Sequence, residues 1–270
     1  MPYIVPLSGY SAGEMASRSA RGAASATPGP PAFADRAEAG VLLGAAVRAA
    51  IGGSKFSDDE RSVVFAIPRG GVAVAAGVAR ELNAALDVIV VRKIGHPQAP
   101  EFGLGAIAEG GEPVFDPAAL TESGLGLADL AEVVARERAE LARRISVYRD
   151  ARPAAPDRPA GPAGLAGAAP GRGARDRELR GPLIVVDDGL ATGVTARAAL
   201  RAVRARAAPG ARLLLAVPVA AANSLTAIKA EAGEVVTVIT TRRLRSVGEW
   251  YADFGQLTDS DVLTLLAAVP

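Results

Sequence analysis

The fold class follows from one stretch of the chain, residues 183–195, which reads LIVVDDGLATGVT. Its first four residues are all apolar, which is typical of a strand buried on both faces of a parallel sheet. Two carboxylates, a loop of small and hydroxyl residues, and the start of a helix come next. On both sides of this stretch, apolar runs predict further strands at 63–67, 87–91, 213–217 and 235–239, and short ones at 105–109 and 112–115.

Helical patterns alternate with these strands. Helices are predicted at 37–51, 72–83, 127–148, 194–207, 224–232 and 260–268. Residues 92–104 contain two prolines and two glycines, so we expect a loop there. Strands that alternate with helices predict an α/β fold with a mostly parallel sheet and flanking helices.

Two segments are rich in small residues and proline and lack any periodicity. They are residues 1–32 and about 151–178. Such segments bury too little apolar surface to offset the entropy lost on ordering. We therefore expect a flexible tail at 1–32, and one domain at 33–270 that carries a disordered Pro/Gly/Ala insertion.

The composition excludes several kinds of chemistry. The chain has no Cys and one His, which rules out disulfides, thiolate nucleophiles and multi-histidine metal centres. Thirty Lys and Arg balance 29 Asp and Glu, so no overall field attracts polyanions. No run of ~18–20 apolar residues predicts a membrane span, and residues 1–32 lack the pattern of a secretory signal. We expect a cytoplasmic protein without nucleic-acid or membrane partners.

The loop after the acid pair suggests a phosphate site. Small residues let backbone N–H groups converge on an anion, and a helix N-terminus adds positive charge. Asp187 and Asp188 can accept hydrogen bonds from a vicinal diol. A phosphate at one end and a diol at the other describe a ribose 5-phosphate. The alternative is an ordinary strand-turn-helix with polar turn residues.

These residues resemble the phosphoribosyl pyrophosphate (PRPP) signature of type I phosphoribosyltransferases. The wider chain is similar to a bacterial group of predicted phosphoribosyltransferases through Asp35-Arg36-x-Glu38-Ala39-Gly40, Pro68-Arg69-Gly70-Gly71, Arg92-Lys93-Ile94-Gly95 and Trp250-Tyr251-x-Asp253-Phe254. The resemblance implies a small hood over the acceptor, PRPP and a small-molecule acceptor as substrates, and a homodimer.

The resemblance also implies roles for individual residues. Asp187, Asp188, Lys93 and Arg69 would form the catalytic set, with Arg69, Gly70 and Lys93 on the pyrophosphate. The 5-phosphate would lie on Ala191, Thr192, Gly193, Val194 and Thr195. Mg²⁺ would be held mainly by PRPP oxygens, with Asp187 and Asp188 as its possible protein ligands. The family's loop often contains a non-proline cis peptide, here expected at Arg69–Gly70, and Arg92 would also neutralise pyrophosphate.

The acceptor site is less defined. In the family an aromatic ring often stacks on the acceptor base, and Trp250 or Tyr251 can supply it. The alternative is that these rings anchor the C-terminal segment. Ala191 stands where 6-oxopurine enzymes carry an Asp, so hypoxanthine or guanine salvage loses support.

Two functions remain open. The first is Mg²⁺-dependent transfer of a 5-phosphoribosyl group from PRPP to an acceptor nitrogen, with release of pyrophosphate, in nucleotide metabolism. The second is a PRPP-sensing regulator without transferase activity, for which Arg242-Arg243-x-Arg245 is the one candidate nucleic-acid surface. A third function, that of a hydrolase or nucleotidase, is not supported, because the sequence lacks the nucleophile–base pair or metal cluster that such an enzyme needs.

Overall fold

A computed structural model describes residues 31–52, 62–150, 179–229 and 231–269. The predicted disordered insertion at 151–178, and all of the predicted tail except residues 31 and 32, lie outside these ranges. Within them, five parallel strands form the main sheet in the order β2-β1-β6-β7-β8. These strands are β1 (Val63–Ala66), β2 (Ala85–Val88), β6 (Leu183–Val186), β7 (Leu213–Ala221) and β8 (Glu234–Thr241).

Helices cover both faces of this sheet. They are α1 (Arg36–Ala50), α2 (Gly70–Leu82), α4 (Ala131–Asp150), α5 (Val194–Arg204), α6 (Ala222–Ile228) and α7 (Asp259–Ala267). The short helix α3 (Pro117–Ser123), between α2 and α4 in the chain, has no buried residue. Alternate strand residues pack on opposite sides: Ile184 joins the core with α1, α2, α4 and α7, whereas Val185 joins the core with α5 and α6. The predicted α/β fold, with a mostly parallel sheet and flanking helices, is confirmed.

The predicted loop at 92–104 is wrong. The chain forms an antiparallel hairpin of β3 (Val91–His96) and β4 (Ala99–Ala108), which β5 (Val114–Phe115) extends. The predicted strand at 87–91 is also divided, because Asp87 and Val88 belong to β2, whereas Val91 begins β3. Gly95 permits the tight hairpin end, since a Cβ there would lie 2.3 Å from the carbonyl oxygen of Pro100.

The first described residues are joined to residues 250–253 beside the sheet. Phe33 and Tyr251 form a parallel bridge, and the N–H groups of Ala32 and Phe33 both donate to the carbonyl of Trp250 at 3.0 Å. We call residues 32–36 and 247–255 the hood. Its rings pack on Ala39 and Val219, so the hood is fixed to α1 and to β7.

No described helix combines the length and the apolar character that crossing a bilayer requires.

Candidate active site

The acid pair lies at the carboxyl end of β6, in the middle of the sheet between β1 and β7. Ligands bind at this edge in open α/β sheets. The Oδ1 atom of Asp187 accepts a hydrogen bond of 2.9 Å from the N–H of Asp188. The Oδ2 atom of Asp188 accepts one of 3.0 Å from Nε of Arg36, and the Asp188 side chain is 17% exposed. The pair is therefore oriented by local bonds before any ligand binds.

Burial is the largest influence on the titration of both carboxyls. It raises the pKa of Asp187 well above the usual range, and the neighbouring charge of Asp188 adds to the rise. It also raises the pKa of Asp188, while Arg36 and Lys93 act in the opposite direction. Two adjacent buried carboxylates repel each other, so positive charge or a ligand is needed to keep both ionised.

The loop after β1 touches the acid pair. A Cβ on Gly70 would lie 2.0 Å from Oδ2 of Asp188, and a Cβ on Gly71 would lie 2.8 Å from the carbonyl oxygen of Val186. Only residues without a side chain leave room here. A non-proline cis peptide is present, but it joins Pro68 to Arg69. The predicted position at Arg69–Gly70 is wrong by one residue.

The predicted 5-phosphate loop is hydrogen-bonded to β7 and to α6. The N–H of Leu190 donates to the carbonyl of Val219 at 2.8 Å, and the hydroxyl of Ser224 donates to the carbonyl of Ala191. Gly193 has a φ of 83° and directly precedes α5. The first N–H groups of a helix have no partner within it, so this turn presents donors and a positive dipole end to an anion.

The five residues of the predicted 5-phosphate loop differ in exposure. Ala191 and Thr192 are exposed, Thr195 is half-buried, and Gly193 and Val194 are buried within the turn. Residues 191–195 thus follow the acid pair after two intervening residues, and they form the turn into α5 and its first two residues.

The predicted basic residues have different surroundings. Lys93 is exposed on β3, and its charge acts on both carboxyls of the acid pair. Arg92 is paired with Glu137 of α4, to which its Nε and Nη2 atoms donate at 3.0 and 2.8 Å. Arg69 is half-buried, and its charge acts on Tyr148, whose hydroxyl donates to Asp259 at 2.6 Å.

The two aromatic candidates also differ. Tyr251 is 4% exposed and packs between Phe33 and Phe254, with ring centroids 5.3 and 5.0 Å away. Its hydroxyl donates to the backbone carbonyl of Asp188 at 2.5 Å. Burial raises the pKa of this hydroxyl further above its ordinary value, so it stays a donor. The burial and ring packing of Tyr251 favour the alternative that this ring anchors the C-terminal segment. Trp250 is only partly buried and remains a candidate.

Arg36 was missed as a site residue by the sequence reasoning. The sequence feature that could have identified it is its place in the run Asp35-Arg36-x-Glu38, which is part of the family resemblance. Asp35 caps α1 by accepting the N–H of Glu38 at 2.8 Å, and this cap directs the next side chain toward Asp188. The contact joins residues 152 positions apart.

Asp187 and Asp188 are the carboxylates at this edge that could hold a magnesium ion. Among residues 31–52, 62–150, 179–229 and 231–269, no group of three His, Cys, Asp or Glu side chains is placed to hold a metal ion. Mg²⁺ prefers oxygen ligands and often takes one or two carboxylates together with substrate phosphates. Asp187 and Asp188 fit that pattern.

The family model described as the phosphoribosyl transferase domain matches residues 38–244. The chain therefore belongs to this family, and the resemblance read from its motifs is confirmed. Two Mycobacterium tuberculosis relatives, from strains CDC 1551 / Oshkosh and H37Rv, are each named "Putative phosphoribosyl transferase". Each is 37% identical over 206 residues, which is 76% of this chain and 41% of the relative. The chain thus spans less than half the length of these curated relatives.

A solved structure matches over nearly its whole length. The crystal structure of TT1426 from Thermus thermophilus is 39% identical, with a TM-score of 0.62. The match covers 88% of this chain and 98% of that one.

Proposed function

We propose that this protein binds Mg·PRPP at the carboxyl edge of the sheet and transfers its 5-phosphoribosyl group to an acceptor nitrogen. One observation carries the proposal: the acid pair, the glycine loop and the turn into α5 meet at a single edge. Gly70 has no room for a Cβ because Oδ2 of Asp188 would lie 2.0 Å from it. A diol acceptor, a pyrophosphate loop and a phosphate turn are the three parts that PRPP requires.

Each part has a role set by its chemistry. Asp187 and Asp188 accept hydrogen bonds from the ribose hydroxyls, and the turn at 191–195 binds the 5-phosphate through backbone N–H groups and the hydroxyls of Thr192 and Thr195. Arg69, Gly70 and Lys93 bind the pyrophosphate. Mg²⁺, when bound with PRPP and in reach of Asp187 and Asp188, would neutralise negative charge on the leaving pyrophosphate.

The reaction breaks the bond between C1 of the ribose and the pyrophosphate oxygen. The electron pair leaves with pyrophosphate, and the acceptor nitrogen forms the new bond to C1 and gives up its proton to water. Positive charge develops on the ribose during this exchange, so the ionised acid pair below the ring favours the transition state electrostatically. The residues named here contribute by positioning and by charge rather than by a strong base.

The acceptor is a nitrogen compound, such as a nucleobase, bound beside the hood. Trp250 is the aromatic candidate for stacking on it. Ala191 lacks the carboxylate that the 6-oxopurine enzymes carry at this position. The expected cytoplasmic location, the homodimer and the lack of nucleic-acid or membrane partners belong to this proposal as well, on the strength of the resemblance and of the near-neutral charge balance.

A screen for pyrophosphate release tests the proposal. Purified protein is incubated with PRPP, Mg²⁺ and a panel of purine and pyrimidine bases, next to the Asp187→Asn/Asp188→Asn variant. We expect release that depends on one acceptor class and on both carboxylates. Saturable PRPP binding without release for any acceptor would support the PRPP-sensing regulator instead. Release that is equal in the variant would refute the assigned site.

A further inference from the structure

The guanidinium of Arg36 is held by three contacts, one with Asp188 and two with the hood. Its Nε donates to Oδ2 of Asp188 at 3.0 Å, and its Nη1 donates to the carbonyl of Gly255 at 2.9 Å. Its Cζ lies 3.7 Å from the ring centroid of Phe254, which is stacking distance for a cation on an aromatic face. The Arg36 side chain is only 11% exposed. It is fixed in place, whereas most surface arginines are mobile.

The position of the Asp188 carboxylate depends on this contact. On one side Oδ2 faces Gly70, where even a single added carbon would lie 2.0 Å away. On another side it meets Arg36, and the backbone carbonyl of Asp188 is held by Tyr251. Without Arg36, the carboxylate would be free to rotate away from its like-charged neighbour Asp187. Lys93 also offsets the charge of the pair, but it is exposed on β3 and has no bond to Asp188 among the described contacts.

We infer that Arg36 is a positioning residue, which orients Asp188 to accept the ribose diol and connects that carboxylate to the hood through Phe254 and Gly255. The inference rests on the proposed function, because it concerns the diol half of the PRPP site. Arg36 acts through Asp188, and among the described contacts it has none with the phosphate turn at 191–195. Its loss should therefore weaken diol recognition and leave phosphate recognition intact.

Two sugar phosphates separate these effects. Ribose 5-phosphate carries the diol, and 2-deoxyribose 5-phosphate lacks one of its hydroxyls. Their affinities are measured by calorimetry for the wild type and for Arg36→Met, Arg36→Lys and Arg48→Met. Arg48 is the matched control, since it also lies on α1 and pairs with a glutamate, Glu81, at 2.6 Å, but it is 59% exposed and remote from the acid pair.

We expect the wild type and Arg48→Met to prefer ribose 5-phosphate by about tenfold, the value of one good hydrogen bond to a charged group. Arg36→Met should lose most of this preference while it binds 2-deoxyribose 5-phosphate within about twofold of the wild type. Arg36→Lys should recover part of the preference because it restores the charge. It cannot restore all of it, since an ammonium lacks the planar fork that contacts Asp188, Gly255 and Phe254 together.

The outcomes distinguish this inference from the proposed function. If the wild type shows no preference for the diol, the proposed ribose site fails and the role of Arg36 fails with it. If the wild type has the preference and folded Arg36→Met retains it, only the role of Arg36 is overturned. Arg36→Lys provides the same test if the methionine variant does not fold. An equal loss of affinity for both sugar phosphates would also overturn the inference.

Discussion

Substitution of Gly70 by alanine should damage ligand binding far more than folding. The new Cβ would lie 2.0 Å from Oδ2 of Asp188, although Cβ atoms in proteins essentially never approach a neighbour within 3.0 Å. The carboxylate must therefore move by at least about 1 Å. The atom in the way is the end of a side chain, so the backbone of β6 need not shift.

The size of the effect follows from the bonds that this displacement breaks. Oδ2 lies 3.0 Å from Nε of Arg36, and a shift of about 1 Å away from Gly70 can carry it beyond hydrogen-bond distance or out of line with a bound diol. One hydrogen bond to a charged group is worth about 1.5–3 kcal/mol, which corresponds to a roughly 10- to 150-fold loss of affinity for Mg·PRPP. Gly70 is the first residue of α2 and does not have a positive φ, so its backbone conformation tolerates alanine. The melting temperature should stay within a few degrees of the wild type.

Calorimetric titration with Mg·PRPP measures the first effect, and thermal unfolding measures the second. Gly233→Ala is the control, because its Cβ would meet only the carbonyl oxygen of Leu213 at 3.4 Å, at the opposite end of the sheet. It should bind Mg·PRPP like the wild type. Gly70→Ala that binds within twofold of the wild type would refute the close packing of the glycine loop on Asp188.

Two further substitutions test the burial of the acid pair and its bond to the hood. Burial raises the pKa of Asp187, so the native state holds a proton more tightly than the unfolded chain does. The stability of the ligand-free protein should therefore fall as pH rises from about 4 through that raised pKa. The fall is about 1.4 kcal/mol for each unit by which the pKa is raised. Asp187→Asn keeps an oxygen for the N–H of Asp188 and should flatten this dependence between pH 5 and 8 in thermal unfolding; parallel curves would contradict it. Tyr251→Phe removes the bond to the Asp188 carbonyl and should cost about 1–3 kcal/mol in a denaturant titration, whereas an unchanged midpoint would show that the bond contributes nothing.

The sequence patterns predict the sheet well because parallel strands have a simple signature. Residues 183–186 and 213–217 are apolar at every position, and both are buried on both faces in the structure. The acid pair and the turn at 191–195 are contiguous in sequence, so their proximity needed no tertiary information. Their place at the carboxyl edge then follows from the direction of β6.

The hairpin at 91–108 was mispredicted because its local signals favour a loop. Pro97 and Pro100 lie at its end, and the pairing shifts register on both sides of Gly95. Glycine and proline normally interrupt strands, yet here Gly95 allows the two strands to approach closely. Pairing of β3 with β4 overrides the weak strand propensity of these residues, and a single sequence does not reveal that.

The missed role of Arg36 has a different physical origin. The contact between Arg36 and Asp188 joins the start of α1 to the end of β6, and the position of the hood determines it. The hood itself forms from two segments that are far apart in sequence, residues 32–36 and 247–255, which meet at Phe33 and Tyr251. Neither segment has a periodic pattern that predicts the other. For the same reason, burial of Tyr251 and the pairing of Arg92 with Glu137 were visible only in the folded chain.

Calorimetric titration of the wild type and of Asp187→Asn/Asp188→Asn with Mg·PRPP tests the assigned site most directly. The double variant keeps the shape of both side chains and removes both charges. We predict saturable binding of one PRPP per chain to the wild type and no measurable binding to the variant, with both proteins folded. Equal affinities for the two proteins, or no binding to the folded wild type, would contradict the assignment of this edge of the sheet as a PRPP site.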